Sequence, residues 1–289
     1  MSFDTLISAE ELMALRASGR PLVLLDCSFD LADPQAGERS FRAGHLPGAH
    51  HADLDRDLAT PKHPDGPRSP QFTGRHPLPD RDTWARRVAG WGIRPGVQVV
   101  SYDGQGSPYA ARAWWMLRWL GHAEAAVLDG GLAAWTAAGG TLQPEVPDRL
   151  RTATPYPAAN VAAMPSIDAA TLMSRLGRVR LLDARAIERW RGDLEPLDPV
   201  GGHIPGSTPR FFKDNLRADG RFKPREQLQA EFTGLGVRAG EPTVHQCGSG
   251  VTACHNLLAQ AHAGLGLGTL YPGSWSEWCA DPERPVARG

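Results

Sequence analysis

Gly202-His203-Ile204-Pro205-Gly206 repeats Gly44-His45-Leu46-Pro47-Gly48, and that repetition decides the fold. Working outward, Leu181-Leu182-Asp183 precedes the second motif as Leu24-Leu25-Asp26 precedes the first. Downstream, Pro272-Gly273-Ser274-Trp275-Ser276-Glu277-Trp278 stands where Asp129-Gly130-Gly131-Leu132-Ala133-Ala134-Trp135 stands in the first half. Three matches in the same order read as an internal duplication.

Each half alternates strand-like and helix-like segments. In the first half, Ser8 with Glu11 three residues later forms a capping box, so a helix starts there. Val23-Leu24-Leu25, Val97 to Ser101 and Ala126-Val127-Leu128 read as buried strands. Asp80 or Asp82 caps a helix running to about Trp91, and Ser107 to Leu120 is helical. In the second half, Ser166 is expected to start a helix and Pro224 to stand in a helix's first turn. Val179 to Leu182, Thr243 to Gln246 and Thr269 to Tyr271 read as strands, and Val251 to about Ala263 as a helix. Such alternation predicts an α/β protein whose sheets are mostly parallel and flanked by helices. Pro144, Pro147, Pro155, Pro157 and Pro165 mark an extended linker. The expected organisation is a first domain over 1–140, a linker over 141–165 and a second domain over 166–289.

The chain has 289 residues, 41% hydrophobic and 22% charged, with a formal net charge of -1. That balance predicts no strong attraction to nucleic acid or to an anionic membrane. No apolar run is long enough to cross a bilayer. The N-terminus lacks the basic and apolar stretches of a signal peptide. Four scattered cysteines, Cys27, Cys247, Cys254 and Cys279, are too few for a disulfide framework in a chain this long. A cytoplasmic protein with free thiols is expected.

The chemistry concentrates at a fourth match. Ser101-Tyr102-Asp103-Gly104-Gln105-Gly106 faces His245-Gln246-Cys247-Gly248-Ser249-Gly250. Both segments leave a strand and enter a helix, where open α/β sheets bind ligands. Gly248 and Gly250 permit a tight turn whose amides point inward, and the following helix N-terminus adds to them. A thiol at the centre of such a loop is favoured as its thiolate. A carboxylate is no sulfur nucleophile, so Asp103 makes the first copy inert. The competing reading is that Cys247 is a small buried hydrophobe; a sulfur packed away from solvent counts against a nucleophile. His45 and His203 occupy one place in both copies and are expected to hold the fold. His245 and His255 beside Cys247 and Cys254 do not follow a zinc spacing, so neither metal nor cofactor is expected.

Cys247-Gly248-Ser249-Gly250-Val251-Thr252 resembles the rhodanese superfamily of sulfurtransferases. Asp183-Ala184-Arg185, Gly202-His203-Ile204-Pro205-Gly206-Ser207 and Tyr271-Pro272-Gly273-Ser274-Trp275 support the resemblance, which extends over nearly the whole chain. It implies two tandem rhodanese-like domains, the first inert and the second active. The uncharged Gly-Ser-Gly looks like the 3-mercaptopyruvate branch, whereas thiosulfate enzymes usually carry basic residues there. The resemblance implies that Cys247 takes sulfur as a persulfide and passes it to a thiol, such as thioredoxin or a small thiol, or to cyanide. Gly248, Gly250, Val251 and Thr252 line the cradle. Arg185 matches the arginine that holds the donor carboxylate, and Arg189 or Arg191 is the candidate second one. A relay of Asp55, His76 and Ser249 is implied, its aspartate and histidine coming from the first copy. A related Cys-loop phosphatase needs an arginine closing the loop, but position 253 is alanine and no arginine occurs between Cys247 and Leu258. A cysteine protease lacks a matching His and Asn. A non-catalytic binding module predicts no transferable sulfur, and a thiosulfate sulfurtransferase differs only in its donor.

Overall fold

Ser8 accepts from the Glu11 amide while Glu11 reaches back to the Ser8 amide, so the predicted capping box opens α1 (Ala9–Ala17). This computed structural model describes residues 2–69, 71–150 and 154–289. Its chain forms two units. The first comprises Met1–Thr60, Pro79–Met164 and Arg217–Phe222; the second comprises Pro61–Leu78, Pro165–Leu216 and Lys223–Gly289.

The first unit is built on β1 (Leu6–Ile7), β2 (Leu22–Asp26), β3 (Ala49–His51), β4 (Gln98–Tyr102) and β5 (Ala125–Leu128). They form one sheet in the order β1-β5-β4-β2-β3, with every pair parallel. Its helices after α1 are α2 (Ala36–Ala43), α3 (Arg81–Gly90), α4 (Pro108–Leu120) and α5 (Gly131–Ala137). Asp80 caps α3 by accepting from the Thr83 amide. Leu12, Leu24, Leu46, Val100 and Leu128 meet in one core under the sheet.

The second unit holds α6 (Ala169–Ser174), β6 (Arg180–Asp183), α7 (Ile187–Arg191), β7 (Ser207–Pro209), α8 (Arg225–Gly234), β8 (Thr243–Gln246), α9 (Thr252–His262), β9 (Thr269–Leu270) and α10 (Ser274–Trp278). Its parallel sheet runs β7-β6-β8-β9. Leu172, Leu181, Ile204, Val244 and Trp275 pack beneath it.

Three local expectations change. Ser166 forms a parallel bridge with Leu270, the place β1 holds beside β5, and Asp168 caps α6 instead. A serine has no advantage over aspartate as a cap, and the sheet edge claims Ser166 first. Pro224 sits just before α8 rather than inside its first turn. The proline-rich stretch is not a free tether. Gln143 exchanges two backbone bonds with His45, at 3.0 and 2.9 Å, and the amides of Leu150, Tyr156 and Ala159 donate to Gly90, Ala85 and Leu120. Prolines forbid helix but leave the neighbouring amides able to strap an extended chain onto a surface. Arg151 to Ala153 lie outside the described residues.

The twin histidines match in structure as in sequence. His45 stacks on Phe41 at 3.8 Å, with Nδ1 2.7 Å from the Phe41 carbonyl. His203 stacks on Trp190 at 3.8 Å, with Nδ1 2.8 Å from the Trp190 carbonyl. Each also anchors an antiparallel bridge, to Gln143 and to Ala287. Both hold the fold.

Candidate active site

Cys247 is the residue immediately after β8, a strand flanked by β6 and β9, and α9 begins five residues later. The loop is clipped to the start of α10. The Cys247 amide donates to Ser274 Oγ at 3.1 Å, and the amides of Trp275 and Ser276 donate to the carbonyls of Cys247 and Gly248 at 3.0 and 2.9 Å. Gly250 has φ +75°, and a Cβ there would run into the Pro272 carbonyl, so only glycine lets the loop close. Val251 is buried and Thr252 opens α9. Cys247 itself is only 2% exposed, which counts against free access from bulk solvent.

The first copy shows what this loop does with an anion. Asp103, 1% exposed, accepts four backbone N–H bonds: from Gln105 and Ser107 on Oδ1 at 2.9 and 2.8 Å, and from Tyr109 and Ala110 on Oδ2 at 3.0 Å each. Burial pushes this carboxyl above its ordinary range while those four amides pull it down. Gly106 has φ +85°, matching Gly250. Counting the same steps from Cys247 gives Ser249, Val251 and Ala253, though Val251 has φ -91° where Ser107 has φ +74°. The fourth, Cys254, donates to the Val251 carbonyl. In the first copy this strand-to-helix loop gathers four amides around its first residue, and the second copy puts a thiol at that position.

Ser249 Oγ lies 2.7 Å from His76 Nδ1, and both residues are buried. His76 comes from the stretch 61–78, which packs within the second unit although it precedes α3 in the chain. The expectation that His76 belongs to the first copy is thus corrected: among the described residues this Pro- and Gly-rich connection holds a short 3-10 turn, Gly66–Arg68, and no strand to bind it to its sequence neighbours. Asp55 lies in the first unit, half-buried in the turn after β3.

The arginines sort by what they touch. Arg185 spends its donors inside the protein: Nε bonds both Asp183 oxygens at 3.1 Å, Nη2 bonds Asp183 and the Gly202 carbonyl at 2.8 Å, and Nη1 reaches Glu195 at 3.4 Å. Its guanidinium also sits 4.7 Å over the Trp275 ring. Arg191 is exposed at the end of α7. Arg189 bonds Glu195 at 2.6 Å and Asp198 at 3.4 Å, and its Nη1 is 3.5 Å from where a Gly248 Cβ would stand. Arg75, which the sequence did not single out, is closer still, with Nη2 2.9 Å from that point. Nothing in Gly74-Arg75-His76 announces this, because its neighbours at the loop are some 170 or more residues away in sequence.

His245 is buried, bonds Gln260 Oε1 at 2.7 Å, and is pushed down to about 4 by burial, so it stays neutral as a core residue. Among the described residues, no three His, Cys, Asp or Glu side chains cluster as a metal site would require, and no helix is long and apolar enough to cross a membrane.

Residues 8–138 match the rhodanese-like domain family. The chain is 50% identical over its full length, and over the relative's full length, to a probable 3-mercaptopyruvate sulfurtransferase of Pseudomonas aeruginosa. It is 39% identical, over 99% of this chain and 98% of the relative, to a putative thiosulfate sulfurtransferase of Mycobacterium tuberculosis. Among solved structures, the 3-mercaptopyruvate sulfotransferase SseA from Escherichia coli superposes with a TM-score of 0.78 at 28% identity, covering 95% of this chain and all of that one. With its duplicated parallel sheets and its cysteine at the strand-to-helix loop of the second, the chain belongs to the rhodanese family of sulfurtransferases.

Proposed function

We propose that the protein transfers sulfur from 3-mercaptopyruvate to a thiol or to cyanide through a persulfide on Cys247. The observation that carries this reading is the equivalence of Cys247 with Asp103. The amides that fold around a carboxylate in the first copy support the reading that the amides at the same sequence steps after Cys247 stabilise a thiolate or a persulfide anion.

In the first step the Cys247 thiolate attacks the donor sulfur. The donor's C–S bond breaks with its electron pair going to carbon, and the thiol proton ends on that carbon, giving pyruvate and Cys247–S–S⁻. In the second step a thiol attacks the outer sulfur, leaves as its hydropersulfide and restores the Cys247 thiolate; cyanide leaves as thiocyanate. Ser249, bonded to His76, stands two residues from the nucleophile and manages the proton that moves between sulfur and carbon. Arg189 takes the donor carboxylate, a part for which Arg185 is poorly free; Arg185 holds Asp183 and Glu195 in place. A nearly buried Cys247 restricts the reaction to a small donor that enters stripped of water, where charge contacts are strong.

The relatives' names divide between two donors. The uncharged Gly248-Ser249-Gly250 favours the monoanionic mercaptopyruvate over the dianion thiosulfate. The test is catalytic efficiency with both donors, beside mass spectrometry of Cys247 after donor treatment. Mercaptopyruvate is expected to win and to add about 32 Da, one sulfur, which Cys247→Ser abolishes. No adduct on the native protein from either donor overturns the reading.

A further inference from the structure

Ser276, in α10, is 1% exposed, and its amide and hydroxyl are both engaged. The amide donates to the Gly248 carbonyl at 2.9 Å. The hydroxyl donates to the Gly273 carbonyl at 3.1 Å and accepts from the Arg75 amide at 3.1 Å. Arg75 belongs to the stretch 61–78, and the next residue, His76, is the one bonded to Ser249 at 2.7 Å. One serine thus joins the backbone of the cysteine loop to the backbone of the stretch that brings in the imidazole. The approach is close: Gly74 has φ +103°, and a Cβ there would stand 2.7 Å from the Gly273 carbonyl oxygen and 3.2 Å from Ser276 Oγ. Beside this contact, Thr73, Pro77 and Leu78 share the walls of a cavity of about 220 Å³ with Pro272, Gly273 and Glu277, so packing alone does not close the seam.

The first copy treats the same turn differently. Ala133 stands at the place of Ser276 and has no hydroxyl to offer. The segment received there, Arg217–Phe222, is held by the Phe222 amide donating to Asp129 at 2.7 Å, and Asp129 stands where the second copy has Pro272. A carboxylate grips an amide more strongly than a hydroxyl does, but a negative charge beside the cysteine loop would oppose a thiolate. A neutral hydroxyl holds the stretch without that penalty.

Resting on the sulfurtransferase reading above, we propose that Ser276 is a positioning residue, whose hydroxyl pins the Arg75 amide and so sets where His76 stands against Ser249. Proton transfer demands that its partners stay within hydrogen-bond reach, and a group on an irregular stretch keeps its place only through such supporting bonds.

The test is single-turnover release of pyruvate from 3-mercaptopyruvate, followed across donor concentration in the native protein, Ser276→Ala, His76→Ala and the double variant, each shown by thermal melting to be folded at the assay temperature. Ser276→Ala keeps the imidazole but loosens its place, so the maximal rate is expected to fall about tenfold while the half-saturating donor concentration stays within about twofold. In His76→Ala the same substitution changes the rate by less than about twofold, because no imidazole is left to place. A merely structural role would lower the rate by one factor in both backgrounds. An unchanged maximal rate in Ser276→Ala, an equal loss in both backgrounds, or an effect confined to half-saturation overturns the proposal. The sulfur adduct on native Cys247 separates the two failures: if it forms and any of those three results is seen, only the role of Ser276 is lost; if it never forms, the sulfurtransferase reading itself falls.

Discussion

Replacing Asp103 with alanine removes the one acceptor that four buried amides share. Each amide-to-carboxylate bond is worth about 1 to 1.5 kcal/mol net, so the gross loss is about 4 to 6 kcal/mol. Relief from burying a carboxylate returns part of this, since the side chain is 1% exposed and its burial opposes the charge. The expected cost is about 2 to 4 kcal/mol, a large share of a domain's stability. The assay is hydrogen exchange by mass spectrometry on peptides spanning residues 99–128, which isolates the first unit where bulk unfolding of two units would not. A second readout uses the chemistry of the emptied loop. Sulfate or phosphate in the buffer should slow exchange in Asp103→Ala more than in the native protein, because an anion takes the vacant place. A cost below about 1 kcal/mol, with no anion dependence, would refute the claim that this loop gathers amides around negative charge. A persulfide cradle at Cys247 would then have no counterpart in the first copy.

Two further outcomes follow from the second unit. His76→Ala and Ser249→Ala should each lower kcat with mercaptopyruvate by about a hundredfold, and the double variant by little more, because the 2.7 Å bond joins them in one function; additive losses in the double-mutant cycle would separate the two residues. His245 is held near 4 by burial, against an ordinary value of 6.5, so the unfolded chain takes up its proton first as pH falls. Its contribution is complete above about pH 6.5 and fades as pH drops to about 4, roughly 3 kcal/mol in all. Denaturant titrations should show that acid limb flattened in His245→Gln, and an unchanged limb would mean other groups set it.

Residues 243–246 fold as read, and so do the capping box at Ser8 and the helices after both loops, since strand runs and caps are local signals. The sequence by itself determined the duplication, the parallel α/β class, the place of Cys247 after a strand and the twin roles of His45 and His203. All of these are written in neighbouring residues, in apolar runs, glycines and repeated motifs. Only the tertiary structure decided which arginines face the loop. Arg185 carries the family motif, yet Asp183, two residues away, takes its fork. Arg75 carries no motif and stands beside Gly248, because the stretch 61–78 packs in the second unit. A guanidinium on a long flexible stem goes where buried carboxylates hold it, and Asp198, Glu195 and the loop meet only when distant parts of the chain pack together.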